Sequence, residues 1–266
     1  MDQYRLDCDL QEAVHNGNAL LVKLSLDSGA DVNTTNTRDS YSGNTPLMHA
    51  CSRGYTNIVK LLLEAGADPN ITNSKKITPL MVTVPFCKDE YFYIYSKIIR
   101  LLLTAGADIN AFDDNGKTAL MSKCMHHSIK AIKLLLKYGA NPNIVDNWGD
   151  FPLLYASKQG HTDTAELLLK HGADPNKKGQ NDVNPLIQAS AGGFDSIVKL
   201  LLKHSADIEM ADNMGCTALM TACEHNQKET VITLLKMGAC PDSAIAKSWC
   251  TLKNDPILLD VLVGFG

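Results

Sequence analysis

The residues of this chain that could do chemistry are chiefly its eight cysteines and eight histidines. The tightest grouping is Cys216, Cys223 and His225, and thiolate with imidazole at short spacing can hold zinc or form a nucleophile and base. However, Cys-x-x-Cys, His-Glu-x-x-His and glycine-rich phosphate-loop motifs are all missing from the sequence. The sequence therefore predicts no catalytic residues, no metal site and no cofactor.

The elements that must position any functional residue recur along the chain. The stretch Leu61–Asn70 reads as the end of an apolar helix, a glycine that ends it and an Asp-Pro-Asn turn. Its glycine position recurs in steps of 37, 40 and then four times 33 residues, occupied by Gly29, Gly66, Gly106, Gly139, Gly172, Ser205 and Gly238. A fixed period of this size indicates stacked supersecondary units.

A second recurrent string begins the first helix of each unit. It is Thr45-Pro46-Leu47-Met48 in one copy, where threonine can cap the helix and proline can occupy its first position. Asn184 can cap in the same way, but Phe151 cannot, so the helix after Phe151 is predicted to have the weakest cap. The position that ends the first helix is glycine in most units, while His127 and Asn226 fill it in two. Both residue types tolerate a left-handed backbone, so we interpret the His126-His127 pair as backbone chemistry and one exposed side chain.

These two strings resemble the ankyrin repeat, with its 33-residue period and Thr-Pro-Leu-His-x-Ala sequence. The resemblance covers about residues 8–242 and implies an all-α ankyrin-repeat solenoid, in which helix-turn-helix pairs are joined by β-hairpin-like loops. One departure is consistent, because the histidine of the family is replaced throughout by an apolar residue. Its positions here are Met48, Met81, Met121, Leu154, Ile187 and Met220.

The predicted organisation is a single domain over residues 1–266. Residues 1–33 form an N-terminal capping repeat, with Leu10, Ala13 and Val14 on one inner face and Leu20, Leu24 and Leu26 in its second helix. Six repeats follow over 34–242, with insertions near 34–43 and 85–95, and residues 243–266 form an atypical C-terminal cap.

Composition and charge exclude several classes of function. The chain is 45% hydrophobic and 20% charged, with a net charge of −4, so we expect neither a nucleic-acid partner nor a membrane-spanning segment. Cys51, Cys124 and Cys223 share one small core position, which favours reduced, buried thiols. Together these features favour a monomeric cytoplasmic protein, or one acting in the host cytosol if it is a secreted effector.

The resemblance implies that a partner protein binds a concave face made of hairpin tips and the adjacent ends of the first helices. Trp148 is the expected central anchor, because tryptophan is the most enriched residue at binding hot spots. The alternative is that Trp148 folds back onto Tyr155 or a neighbouring tip. The predicted binding residues are Tyr41, Arg53, Lys75, Lys117, His126, Trp148, Asp150, Tyr155 and Met214.

The insertion near 85–95 is rich in aromatic residues, and two interpretations remain open for it. One is an extended second helix whose Phe92, Tyr95 and Ile99 pack on the stack. The other is an exposed docking patch, a secondary candidate site consisting of Phe86, Tyr91 and Tyr93.

The sequence thus favours a non-catalytic adaptor or scaffold that binds another protein. An inhibitory regulatory subunit that covers the active cleft of a partner enzyme is the main alternative, and a host-directed effector could use the same surface. An enzyme would require an additional pocket of titratable groups, for which the repeat pattern leaves no inserted domain.

Overall fold

A computed structural model describes residues 2–35, 43–83 and 92–241. The described residues form pairs of antiparallel helices. In every pair after the first, the first helix is shorter than the second, as the ankyrin-like pattern predicts, whereas in the first pair the first helix has 13 residues and the second has 9. The helices are α1 (Gln3–His15), α2 (Ala19–Asp27), α3 (Pro46–Arg53), α4 (Thr56–Glu64), α5 (Pro79–Val82), α6 (Phe92–Thr104), α7 (Ala119–Met125), α8 (Ile129–Lys137), α9 (Pro152–Gln159), α10 (Thr162–Lys170), α11 (Pro185–Ala191), α12 (Asp195–Lys203), α13 (Ala218–Glu224) and α14 (Lys228–Lys236).

The chain divides into two compact units. The first lies within residues 1–119 and 133–140, and the second within residues 120–132 and 141–266. In the first unit α3 packs on α1 and α4 packs on α2, and in the second unit α11 packs on α9 and α12 packs on α10. First helices therefore stack on first helices and second helices on second helices. The prediction of one domain over 1–266, with a cap at 243–266, extends beyond the described residues and stays a prediction.

Helix starts follow the predicted capping chemistry. The Thr45 hydroxyl accepts a hydrogen bond from the Met48 amide at 3.3 Å, and the Asn184 side chain accepts one from Ile187 at 2.8 Å. Phe151 makes no side-chain capping bond and is instead fully buried. Its helix begins with Pro152 at the first position, where no amide hydrogen needs a partner.

Helix ends follow the prediction as well. Gly54 and Gly160 have left-handed backbones, and His127 and Asn226 adopt the same conformation with φ of 51° and 56°. Ser205, which replaces the recurrent glycine of the longer turn, is also left-handed with φ 65°. The pattern of glycine replacement therefore located real left-handed positions.

A ladder of asparagine side chains joins successive turns within each unit. Asn33 accepts a hydrogen bond from the Asp68 amide at 2.9 Å, and Asn70 accepts one from Asp108 at 2.7 Å. Asn143 and Asn176 do the same in the second unit, toward the amides of the residues 31 positions later, at 2.9 and 2.7 Å. Each rung satisfies backbone groups of the next repeat, which links neighbours without any contribution from distant repeats.

The prediction for the first repeat is only partly correct. Leu10, Ala13 and Val14 are buried as expected, but Leu20 and Leu24 are 67% and 51% exposed. In α2 only Val22 is buried, because no described residue covers the face of α2 that points away from α4.

The second helix that follows the residue 85–95 insertion supports the extended-helix interpretation in part. Helix α6 has 13 residues, whereas α4 has 9, and its Ile99 is buried. The Tyr95 hydroxyl donates to the Ser52 carbonyl at 3.3 Å. Tyr93 is 69% exposed, with the Lys97 ammonium 4.1 Å from its ring centre, while Phe86 and Tyr91 lie outside the described residues.

Candidate functional site

The hairpin tips have a repeated construction based on one acidic or amide side chain. In four of them, a side-chain oxygen accepts hydrogen bonds from the backbone amides two and four residues later, at distances of 2.8–3.1 Å. This closes the turn locally and leaves the intervening side chains outside it. The closing residues are Asn73, Asp113, Asp146 and Asp212, and the residues two positions later are Lys75, Asn115, Trp148 and Met214.

The apex residue is apolar in two tips of the second unit. Trp148 is 49% exposed and Met214 is 82% exposed, although both occupy a position that is polar in the tips of the first unit. Large apolar side chains held in solvent by a closed turn have no role in the core. Half of the Trp148 surface remains accessible, so it does not fold fully onto the protein.

Tyr155 supports the Trp148 tip from below. Its hydroxyl donates to the second carboxylate oxygen of Asp146 at 2.6 Å, and its side chain is only 7% exposed. Burial removes most of the Tyr155 ring from solvent, and its predicted role as a contact residue stays a prediction. Its role is to position Asp146, whose carboxylate then receives three hydrogen bonds.

Neighbouring tips of the second unit lie against one another. The Asn213 amide donates to the Asn181 carbonyl at 3.0 Å, which joins two tips through the backbone. A Cβ on Gly149, whose φ is 80°, would lie 2.7 Å from the Gln180 nitrogen. This glycine therefore permits close contact between the tip that carries Trp148 and the tip at Gln180. Gly179 occupies the position of the closing Asx residue in the middle tip, and a short 3-10 turn over Gln180–Asp182 replaces the side-chain closure.

Asp150 and Lys158 place a charged pair beside Trp148. The Lys158 ammonium contacts both carboxylate oxygens of Asp150, at 2.6 and 2.9 Å, and the Asp150 side chain is only 15% exposed. The pair is only partly exposed, and it fixes the polarity around the tryptophan. The sequence predicted Asp150 as a site residue without predicting its partner.

Three of the predicted binding residues in the first unit are cationic. Arg53 is exposed and lies 3.3 Å from a ring nitrogen of His15, Lys75 is exposed, and Lys117 is half-buried. The tips that carry Lys75 and Lys117 are joined, since the Asp114 amide donates to the Lys75 carbonyl at 3.1 Å. Tyr41 lies outside the described residues.

Three copies of the family model for ankyrin repeats match residues 10–113, 90–179 and 175–244. The chain belongs to the ankyrin-repeat family. Among solved structures, the ankyrin repeat domain of Bcl-3, described as a unique member of the IkappaB protein family, is 26% identical to it with a TM-score of 0.74. The match covers 86% of this chain and 97% of that one, whereas a search of curated proteins gave no significant match.

Membership of the ankyrin-repeat family makes the chain a protein-interaction module in general terms, and modules of this family are generally non-catalytic. The family histidine is replaced here by apolar packing. Met48 and Met121 are 1% and 0% exposed, and Leu154 and Ile187 are 1% and 3% exposed. These ankyrin repeats therefore have an apolar contact where the family string has an imidazole.

The ankyrin-repeat core also explains the cysteines. Cys51, Cys124 and Cys223 are buried at one equivalent position, as predicted, and they are free thiols. Burial raises the pKa of Cys51 to about 12 and also raises the pKa of Cys124, so both are protonated and unreactive near neutral pH. Within the described ranges no group of three or more His, Cys, Asp or Glu residues could hold a metal ion, and no helix there is long and apolar enough to cross a membrane.

The tandem histidines have separate environments. His126 is exposed, whereas the Nδ1 of His127 lies 2.9 Å from the Thr164 hydroxyl and its ring lies 4.4 Å from that of His161. Burial, and then the charge of His127, lower the pKa of His161. His127 is exposed as well, so the pair has two exposed side chains rather than the one that the sequence indicated.

Sequence reasoning missed Asp146, which is 5% exposed and holds the Trp148 tip. The available signal was the recurrence of Asn or Asp at the same place in the repeat, at Asn73, Asp113, Asp146 and Asp212. A carboxyl or amide that returns with the period indicates a closed turn, and in three of these four tips a glycine follows three residues later, at Gly116, Gly149 and Gly215.

Proposed function

We propose that the chain is a non-catalytic adaptor that binds a partner protein through the tips of its second unit. Trp148 and Met214 serve as apolar anchors, and the Asp150–Lys158 pair and His126 are polar contacts around them. The observation that carries this proposal is the exposure of Trp148 and Met214 at apices closed by Asp146 and Asp212.

Rigid presentation is the physical reason why these anchors suit recognition. Binding costs about 0.5–1.5 kcal/mol for each rotamer-rich side chain or loop that must be ordered. Here the backbone of each apex is already fixed by two hydrogen bonds to an aspartate. An indole on such a turn can be desolvated by a partner with little ordering of the tip.

The test compares two exposed methionines and the tryptophan. Trp148→Ala and Met214→Ala should each reduce capture of a partner from cell lysate, and Trp148→Ala should weaken the purified complex by about 2 kcal/mol or more. Met237→Ala is the matched control, because Met237 is 49% exposed at the end of α14, away from any tip. Titration calorimetry with the captured protein measures the affinities.

If Trp148→Ala binds that partner as tightly as the wild type, the assigned surface is wrong. Equal losses for Met214→Ala and Met237→Ala would also contradict it. Circular dichroism should show all three variants folded, since none of the side chains is buried.

A further inference from the structure

The first repeat has a groove on the side of α1 and α2 that faces away from α3 and α4. The N-terminal groove, as we call it, has a volume of about 390 Å³. It is lined by Leu21, Leu24 and Ser25 from α2 and by Leu6, Asp9 and Glu12 from α1. The exposed fractions of Leu21 and Leu24 are 47% and 51%, so about half of each apolar side chain remains in contact with solvent.

Comparison with the later repeats explains why this groove exists. Leu21 occupies the position of Ile58 in α4, which is 2% exposed because α2 packs on α4. Ser25 occupies the position of Leu62, Leu102 and Leu201, all fully buried. The small serine leaves open the volume that a leucine fills elsewhere, and within the described residues nothing covers the face.

The position of the groove between two helices indicates a helical ligand. It runs between two antiparallel helices, and within this unit such a pair already receives another helix pair, since α3 packs on α1 and α4 on α2. An apolar trough between helices accommodates the apolar stripe of an amphipathic helix, with anchors at helical spacing.

The charge of the groove indicates which helix. Among the described residues that line it, only Asp9 and Glu12 are charged, and the basic side chains of the same helices, Arg5 and Lys23, do not line it. A second copy in symmetric contact would place the same two carboxylates against each other, which opposes self-association. A helix with lysine or arginine beside its apolar stripe would instead complement them.

We propose that the N-terminal groove binds a basic amphipathic helix of a partner protein. Apolar side chains of that helix enter between Leu21 and Leu24, over Ser25, and its cationic side chains pair with Asp9 and Glu12. This surface is separate from the tip surface proposed above and does not depend on it.

The test uses two synthetic peptides of about 14 residues, comparable with the 13 residues of α1. Both carry leucines on one helical face, and the residues beside that face are lysine in the first peptide and glutamate in the second. Fluorescence anisotropy with the full chain at low salt should show the lysine peptide binding at least about tenfold more tightly, with an affinity that falls as salt is added.

Variants of the protein then locate the site. Ser25→Leu should fill the groove, and Leu21→Ser should remove an anchor, and each should weaken binding of the lysine peptide about tenfold or more. Leu20→Ser is the matched control: Leu20 is 67% exposed but does not line the groove, so this variant should bind as the wild type does. Thermal unfolding of the variants confirms that each is folded.

Several results would overturn the proposal. They are equal binding of the lysine and glutamate peptides, no binding of either, or unchanged binding by folded Ser25→Leu. Light scattering that shows a dimer, lost in Leu21→Ser, would assign the groove to a second copy and overturn it as well.

Discussion

Asp146 offers the sharpest test of how the tip is held. Its carboxylate accepts hydrogen bonds from the Trp148 and Asp150 amides, each at 2.9 Å, and from the Tyr155 hydroxyl at 2.6 Å. Asp212 is its counterpart in a later repeat and, among the described residues, accepts two amide bonds, from Met214 and Cys216. Truncating each aspartate to alanine therefore separates the contribution of the buried hydroxyl from that of the turn.

The expected magnitudes follow from burial. Each amide bond at an open tip contributes about 0.5–1 kcal/mol, because water can replace the lost acceptor. Tyr155 is 7% exposed, and its hydroxyl bonds to a charged group. A hydrogen bond to a charged group typically contributes about 1.5–3 kcal/mol. Asp212→Ala should thus reduce the free energy of unfolding by about 1–2 kcal/mol and Asp146→Ala by about 2.5–5 kcal/mol.

Urea unfolding followed by circular dichroism measures both losses, and Tyr155→Phe completes a double-mutant cycle with Asp146→Ala. Because neighbouring repeats can open separately, amide hydrogen exchange at residues 147–151 should be recorded with it. The reasoning is refuted if Asp146→Ala costs no more than Asp212→Ala, or if Tyr155→Phe is equally destabilising with and without Asp146.

Two further predictions concern groups in the core and at its edge. The pKa of His161 is lowered from 6.5 by burial and then by His127, so the unfolded state binds its proton more tightly. The free energy of unfolding should therefore fall as the pH decreases from about 7.5 to about 5.5, and His161→Gln should reduce that slope in urea titrations; an unchanged slope would contradict this assignment. Burial raises the pKa of the Cys124 thiol, whereas Cys240 is exposed. Iodoacetamide at about pH 8 should therefore label Cys240 before Cys124. Peptide mass spectrometry measures the rates, and equal rates in the folded protein would contradict the burial of Cys124.

The fold could be predicted because its determinants are local and periodic. Thr45 caps the start of a helix and Gly54 ends it nine residues later. The other copies of the pattern have similar start and end signals. The left-handed His127 and Asn226 were predictable for the same reason, since the equivalent position in other repeats is glycine.

The failures concern contacts that the period does not encode. Tyr155 and Trp148 are both aromatic residues near one tip, yet Tyr155 is 7% exposed and bonded to Asp146, whereas Trp148 is 49% exposed. Leu24 matches the apolar pattern of a second helix, yet it is 51% exposed because no described residue covers that face of α2. Leu20 is 67% exposed at a position that is also exposed in later second helices, at Asn57 and Lys97. The packing neighbours of a residue depend on where its repeat lies in the stack. The repeat pattern alone does not distinguish these positions.

The asparagine ladder has a consequence for how such a chain can change. Its rungs at Asn33 and Asn70 cross the steps of 37 and 40 residues, with bonds of 2.9 and 2.7 Å, and the rungs at Asn143 and Asn176 have the same two lengths across standard steps. Residues added between two rungs therefore leave the coupling between repeats unaltered. Mutation can lengthen or rewrite a tip without a loss of registration, so the recognition surface can diversify while the framework is inherited intact.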